Sequence, residues 1–217
     1  MRKNHSVSIF WLSVLAIFVI GYMILSIQNI TRASFVKNEG IEITTNGSGD
    51  IEPTELKIVN QTNASWAMKI MCSDINLRIC EYGSQLCCMS SLYELFDIYM
   101  TPDKLYDRFI ADGLYSEDGS DIFCDAPYEI LNYKYSLAYE SPKLNVSTTF
   151  DSTTVISLLE DGIPVMVRTT HPLVERFWVV VTGVIDGEFI IMDPLSEEYG
   201  TLSTYENEIF EIMYFTE

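Results

Sequence analysis

Histidine and basic side chains are scarce in this chain. Its 217 residues include two histidines, His5 and His171, and 13 lysines and arginines against 31 aspartates and glutamates. The formal net charge is −18, so the surface repels nucleic acid phosphates and we expect no nucleic acid partner. No Cys-x-x-Cys pair occurs either, and with so few imidazoles the usual ligand set of a zinc site is missing. We therefore predict neither a metal nor another cofactor.

Cysteine occurs in an odd number, which limits the disulfides that the chain can form. The five cysteines are Cys72, Cys80, Cys87, Cys88 and Cys124. An odd count leaves at least one thiol outside any intrachain disulfide. Cys72 and Cys80 could pair in an oxidising compartment, whereas a bond between the adjacent Cys87 and Cys88 requires a distorted peptide. The sequence alone does not set the pairing.

One long apolar run lies near the N-terminus. Residues 7–27 carry no charged side chain, and such a run is long enough to cross a hydrocarbon core of about 30 Å as a helix. Arg2 and Lys3 precede it, so the positive-inside rule predicts a cytoplasmic N-terminus at 1–6. The alternative is a cleaved signal peptide, but its apolar region is usually only about 7–15 residues long. We predict a single-pass membrane anchor with the remainder on the extracytoplasmic side.

The rest of the chain divides into a polar segment and a globular domain. Residues 28–65 contain Asn46-Gly47-Ser48-Gly49 and few periodic apolar positions, which is typical of a linker or stalk. Residues 66–217 carry most of the apolar residues, which make up 48% of the whole chain. A length of about 150 residues suits one domain with one core.

Helical patterns come first within the domain. Apolar residues at spacings of three and four predict a helix over Gln85–Met100, and Thr101-Pro102-Asp103 has the residue types that begin another helix, which Gly113 would end. Ser152 can cap a helix that continues to Leu159 and stops at Gly162. Two shorter helices are predicted at Ala126–Asn132 and Thr204–Glu208.

Strand patterns dominate the C-terminal third. Phe177–Val184 is apolar on both faces, which is typical of a central strand, and Asp186-Gly187 predicts a tight hairpin turn after it. The other predicted strands are Tyr133–Tyr139, Pro164–Thr169, Glu188–Met192 and Ile209–Phe215. Helices followed by an antiparallel sheet predict an α+β fold.

Three local motifs within about residues 80–215 carry a family resemblance. They are Cys87-Cys88-Met89-Ser90-Ser91-Leu92, Gly162-Ile163-Pro164-Val165-Met166-Val167, and Trp178-Val179-Val180-Val181-Thr182-Gly183 followed by Asp193-Pro194. Their order resembles the papain-like cysteine peptidases, and most of all the peptidase family 39-like, or bacteriocin-processing, type. The resemblance implies a papain-like fold with helices packed on an antiparallel sheet.

The resemblance also implies roles for single residues. Cys87 would be the nucleophile at a helix N-terminus, where the helix dipole stabilises a thiolate. Asp193 would orient a catalytic histidine, and Gln85 would donate to the oxyanion. Each has a structural alternative: Cys87 as a small buried residue, Asp193 as a turn residue before Pro194, and Gln85 as the start of a helix.

The position where the family has its catalytic histidine is Phe177 in this chain. A phenyl ring cannot accept a proton, so we predict a degenerate peptidase that binds a peptide or protein, for which a cationic ligand would suit the negative surface. The alternative is an active cysteine peptidase that uses Cys87 with Asp193 and with His171, which otherwise belongs to an exposed turn. A third possibility is a redox role for the pair Cys87 and Cys88.

Overall fold

A seven-stranded antiparallel sheet forms the centre of the computed structural model, which describes residues 40–71, 78–111, 142–172 and 174–216. The strands are β1 (Ile41–Glu42), β2 (Lys143–Ser147), β3 (Val165–His171), β4 (Val174–Ile185), β5 (Glu188–Met192), β6 (Gly200–Thr201) and β7 (Glu208–Thr216). Their order across the sheet is β1-β7-β3-β4-β5-β6. Strand β2 also pairs with β7, at residues 212–216, whereas β1 pairs with residues 208–209. The predicted anchor at 7–27 lies outside the described residues, and none of the described helices is long and apolar enough to cross a membrane.

Helices lie on both faces of this sheet. They are α1 (Ile79–Tyr82), α2 (Ser84–Tyr93), α3 (Pro102–Ala111) and α4 (Ser152–Glu160), together with 3₁₀ helices at Glu94–Phe96 and Leu202–Tyr205. The first core cluster joins α1, α2 and α3 to one face of the sheet, and the second joins α4 to the other face. The α+β layout with an antiparallel sheet is confirmed.

Strand β4 contributes to both core clusters because its side chains alternate between the two faces. Trp178 and Val180 belong to the first cluster, whereas Phe177, Val179 and Val181 belong to the second. Since all five are 2% exposed or less, the prediction of a central strand that is apolar on both faces is confirmed. The next strand follows the predicted hairpin turn.

The Asp186-Gly187 turn has the predicted geometry. Asp186 has φ 52° and Gly187 has φ 78°, so both central residues adopt the left-handed conformation that a tight hairpin between twisted strands requires. The return strand β5 has the predicted bounds, Glu188–Met192. The predicted strand at Tyr133–Tyr139 and helix at Ala126–Asn132, with Gly113, lie outside the described residues.

The predicted helix Gln85–Met100 is shorter in the structure. Helix α2 ends at Tyr93 and continues as a single 3₁₀ turn to Phe96. Asp97 then adopts φ 58°, a left-handed conformation that stops a right-handed helix. The predicted helix was too long because it rested on apolar spacing alone. Ile98 and Met100 continue that spacing, but they pack against the first core cluster from a non-helical segment.

The start of α3 is confirmed, and the cap of α4 is corrected by one residue. Helix α3 begins at Pro102, and the backbone N–H of Leu105 donates to the carbonyl of Thr101 at 2.9 Å. Helix α4 is capped by Asp151 instead of Ser152. The Asp151 carboxylate accepts the N–H of Thr154 at 2.8 Å, and this bond lowers the pKa of that carboxyl. Asp and Ser are equally good caps, so spacing could not separate them.

Residues 40–65, which the sequence predicted to belong to a linker, pack against the sheet. Ile43 is fully buried, and Leu56 and Val59 are each 5% exposed. The backbone of Ile51 exchanges two hydrogen bonds with Val184, at 2.8 and 2.9 Å, where β4 extends beyond the start of β3. This part of the chain therefore belongs to the same compact unit as the sheet, which begins at residue 40.

Gly183 is required where this segment crosses β4. A Cβ atom on Gly183 would lie 2.5 Å from the carbonyl oxygen of Ile51 and 2.6 Å from the Cα of Pro53. Both are backbone atoms in a hydrogen-bonded segment, so neither can move without breaking the pairing.

We expect Gly183→Ala to lower the free energy of unfolding by about 1–3 kcal/mol, because the added methyl group overpacks this contact. Urea unfolding of both proteins measures the difference. Gly200→Ala is the matched control, since its nearest neighbour would be 3.8 Å away. Equal stability of the two variants would contradict the close approach.

Candidate functional site

The two adjacent cysteines are the fourth and fifth residues of α2, whereas the nucleophile was expected at the N-terminus of its helix. The helix begins at Ser84, and the N–H of Cys87 donates to the carbonyl of Gly83 at 3.0 Å. The dipole of a helix acts mainly on groups at its first turn, beyond which the backbone N–H groups are already bonded. Cys87 therefore receives less thiolate stabilisation than the family resemblance implied.

Both thiols are fully buried. Cys87 and Cys88 are each 0% exposed and belong to the first core cluster, and neither forms a disulfide. Burial raises the pKa of the Cys87 thiol far above its ordinary value. Burial also raises the pKa of Cys88, and electrostatic interactions with Cys87 and with the carboxylate of Asp193 raise it further. At neutral pH both side chains are protonated thiols.

The proton of Cys88 has a structural partner on β4. The Cys88 Sγ donates to the carbonyl oxygen of Trp178 at 3.3 Å, and the N–H of Trp178 donates to Ser84 Oγ at 3.2 Å. Ser84 and Cys88 are four residues apart, so they share one face of α2. Strand β5 ends at Met192, opposite Val180, so it does not reach Trp178. Ser84 and Cys88 therefore provide the hydrogen-bond partners of the Trp178 backbone N–H and carbonyl.

The side chains of β4 that share the core cluster of the two cysteines are Trp178 and Val180. Phe177, which occupies the predicted histidine position, packs in the second cluster on the opposite face of the sheet. Trp178 is 2% exposed, and its Nε1 is buried without a hydrogen-bond partner among the described residues. An indole N–H is only a donor, so it cannot take a proton from a thiol.

His171 lies with Phe177, away from the cysteine cluster. It is the last residue of β3 and is half-buried, and its ring centroid is 4.8 Å from that of Phe177 and 6.2 Å from that of Tyr205. Phe177 and Tyr205 both belong to the second core cluster, which contains no cysteine. The structure therefore brings His171 to the aromatic residues of one face and Cys87 to the opposite face.

The charge of Asp193 raises the pKa of Cys88, but its carboxylate already accepts two hydrogen bonds. Its Oδ2 accepts the hydroxyl of Tyr205 at 2.6 Å, and its Oδ1 accepts the N–H of Leu195 at 2.8 Å. Burial, followed by the hydrogen bond and the charge of Asp193, raises the pKa of Tyr205. The Tyr205 hydroxyl thus makes the hydrogen bond to Asp193 that the family resemblance assigned to a histidine.

Gln85 is a buried residue at the start of α2. It is 3% exposed, and its Nε2 donates to the sulfur of Met213 at 3.8 Å. This contact holds the amide against β7, within the first core cluster to which Met213 belongs. Its position as the second residue of the helix agrees with the structural interpretation given to it from the sequence.

A second glutamine, Gln61, escaped the sequence analysis because it falls within the predicted linker. It is 1% exposed, its N–H donates to the carbonyl of Pro194 at 2.7 Å, and its Oε1 is buried without a partner among the described residues. It therefore lies beside the Asp193-Pro194 turn. Leu56 and Val59, just ahead of it, were the only local signal that this segment is packed.

No three His, Cys, Asp or Glu side chains converge as a possible metal site within the described ranges.

The buried thiols make stability depend on pH. Because folding raises the pKa of Cys87 and Cys88, their contribution is complete below the unfolded pKa of about 8.5 and is lost as the pH rises above it. We expect the free energy of unfolding to fall by about 1 kcal/mol for each thiol between pH 8.5 and 9.5, because the unfolded thiols lose their protons over this range. Urea titrations in a reducing buffer measure this slope, which Cys88→Ala should reduce; a flat profile would contradict buried, protonated thiols.

The bond between Tyr205 and Asp193 can be tested separately. We expect Tyr205→Phe to lower the free energy of unfolding by about 1.5–3 kcal/mol, the range for a hydrogen bond to a charged group. Tyr214→Phe, at a half-buried tyrosine on β7, is the control. Equal effects of the two changes in urea unfolding would mean that the Leu195 amide alone holds Asp193 in place.

Ten chains of solved structures match this chain, among them the following two. One is the peptidase domain of Streptococcus ComA, a bi-functional ABC transporter involved in a quorum sensing pathway, at 11% identity and a TM-score of 0.44, covering 62% of this chain and 91% of that one. The other is named as a C39-like peptidase from Bacillus anthracis, at 12% identity and a TM-score of 0.49, covering 78% of this chain and 99% of that one. No protein-family model and no curated protein matches the chain.

Proposed function

We propose that this protein is a peptidase-like domain without peptidase activity, which binds a peptide or protein ligand. The observation that carries the proposal is the environment of the two thiols, which are fully buried, protonated and faced by Trp178 instead of an imidazole. We further propose that residues 7–27 hold the domain at the extracytoplasmic side of a cell membrane, on the strength of the uncharged apolar run and the two basic residues before it.

Cysteine catalysis needs a thiolate and a base that accepts its proton. The surroundings of Cys87 and Cys88 have the opposite effect, because burial favours the neutral form of both thiols and the charge of Asp193 adds to this effect at Cys88. The proton of Cys88 is also directed at the carbonyl of Trp178, an acceptor that holds it in place. These features favour a structural role for both thiols over either a nucleophilic or a redox role.

The other predicted catalytic residues are engaged in packing. The Asp193 carboxylate accepts hydrogen bonds from Tyr205 and Leu195, and the His171 ring packs against Phe177. A triad of Cys87, His171 and Asp193 would require Cys87 and His171 to meet, although Cys87 packs on one face of the sheet and the His171 ring packs against Phe177 on the other. Binding requires no such rearrangement.

The test compares peptide cleavage and thiol labelling in the full chain. We expect no cleavage of a mixed peptide library above the level of a Cys87→Ala variant, since loss of a general base alone removes about 10²–10⁴ in rate. With a thiol-directed alkylating probe at pH 6, we expect Cys80, which is half-buried, to react before Cys87 and Cys88.

Cleavage that is abolished by Cys87→Ala, or selective labelling of Cys87 at pH 6, would overturn the proposal in favour of an active peptidase. His171→Ala distinguishes the two mechanisms further. A peptidase that used this imidazole would lose activity and Cys87 labelling together, whereas a binding domain would show neither effect.

A further inference from the structure

A cleft of about 240 Å³ lies on the described surface, away from the proposed catalytic residues. The segment 57–66 forms one wall and the segment 94–104 forms the other. Its apolar lining includes Val59 of the first core cluster, and Trp66 and Met100, which pack against that cluster. The cleft is therefore a groove at the edge of the helical layer, with room for one large side chain and its neighbour.

Two aromatic side chains line this cleft. Trp66 is held in place because its Nε1 donates to the carbonyl of Asn60 at 2.9 Å. Tyr99 is 70% exposed, so its ring remains available to a ligand. The face of an indole or phenol ring attracts a cation, and Trp provides the strongest such attraction among the aromatic residues.

A carboxylate in the cleft already holds a cation from the same chain. The Lys57 Nζ is 2.8 Å from the Glu94 Oε1, and the Lys57 side chain is 67% exposed whereas that of Glu94 is 21% exposed. An exposed ion pair of this kind contributes little net stability, so it exchanges readily. Lys57 thus marks the position that a cationic group of a ligand would occupy on Glu94.

The charge of the whole chain determines which sign of ligand is attracted. A formal net charge of −18 attracts cations over long distances and repels anions. Lys104 also lines the cleft and is exposed, so a ligand with several adjacent positive charges would meet repulsion there. A single cation beside an apolar group fits these constraints best.

We propose that this cleft binds a peptide segment that carries one arginine or lysine next to an apolar side chain. The cationic group displaces Lys57 and binds Glu94, and the apolar side chain contacts Trp66 and Met100. The inference rests on the proposed binding function and adds to it the site and the chemical class of the ligand. It makes opposite predictions for the two members of the ion pair.

The experiment measures the affinity of the full chain for three peptides, N-acetyl-Ala-X-Leu-Ala-amide with X as arginine, glutamine or glutamate, by titration calorimetry. We expect the arginine peptide to bind about three- to fivefold more tightly than the other two, because only its side chain can form an ion pair with Glu94. Glu94→Gln should remove this preference. Lys57→Gln should increase the affinity about two- to fivefold, since the competing ammonium is gone.

Glu160→Gln and Lys143→Gln are the matched controls, because both side chains are exposed and neither lines the cleft. Both should leave the affinity within about twofold of the unchanged chain. Arginine-peptide binding that is unaffected by Glu94→Gln, or weakened by Lys57→Gln, overturns the assigned site but leaves a binding domain. Tightest binding of the glutamate peptide overturns the assigned ligand class. If no peptide of a broad library binds, the proposed binding function fails as well.

Discussion

The rest of the site depends on the need of the buried Trp178 backbone N–H and carbonyl for hydrogen-bond partners. Trp178 lies on a buried strand beyond the point where the neighbouring β5 ends, so its N–H and carbonyl need partners from outside the sheet. Ser84 and Cys88 supply them from one face of α2. This pair fixes the helix on the sheet, and it also commits the proton of one thiol. The fold and the chemistry of the site are thus coupled through the same two hydrogen bonds.

A reactive cysteine requires partial exposure and a positive neighbourhood, whereas a core residue requires the absence of both. All ten residues of α2 are buried, so the helix has no solvent-exposed face on which water could stabilise a thiolate. The Asp193 carboxylate raises the pKa of Cys88, because its negative charge disfavours a thiolate. The packing that stabilises the helical layer therefore disfavours a thiolate at Cys87 and Cys88.

The sequence predicted the features that local chemistry decides. Thr101-Pro102 begins a helix and Asp186-Gly187 makes a hairpin because each depends on a few adjacent residues. It could not predict that Ile51 pairs with Val184, since that contact joins distant segments and leaves no periodic pattern. The face of β4 is a similar case: a shift of one residue exchanges Phe177 for Trp178, and only long-range pairing sets which of them faces α2.

The separation between the thiols and the cleft has a physical reason. Val59 contributes to the same core cluster as Cys87 and Cys88, and Trp66 packs against that cluster from outside, so a rigid core supports the walls of the cleft. Catalysis would need this core to admit water and substrate at α2, which would loosen the support. Ligand binding at the edge needs only that the core stay closed, because preorganised walls lower the entropic cost of association. Buried cysteines that act as small packing residues therefore fit the proposed binding role.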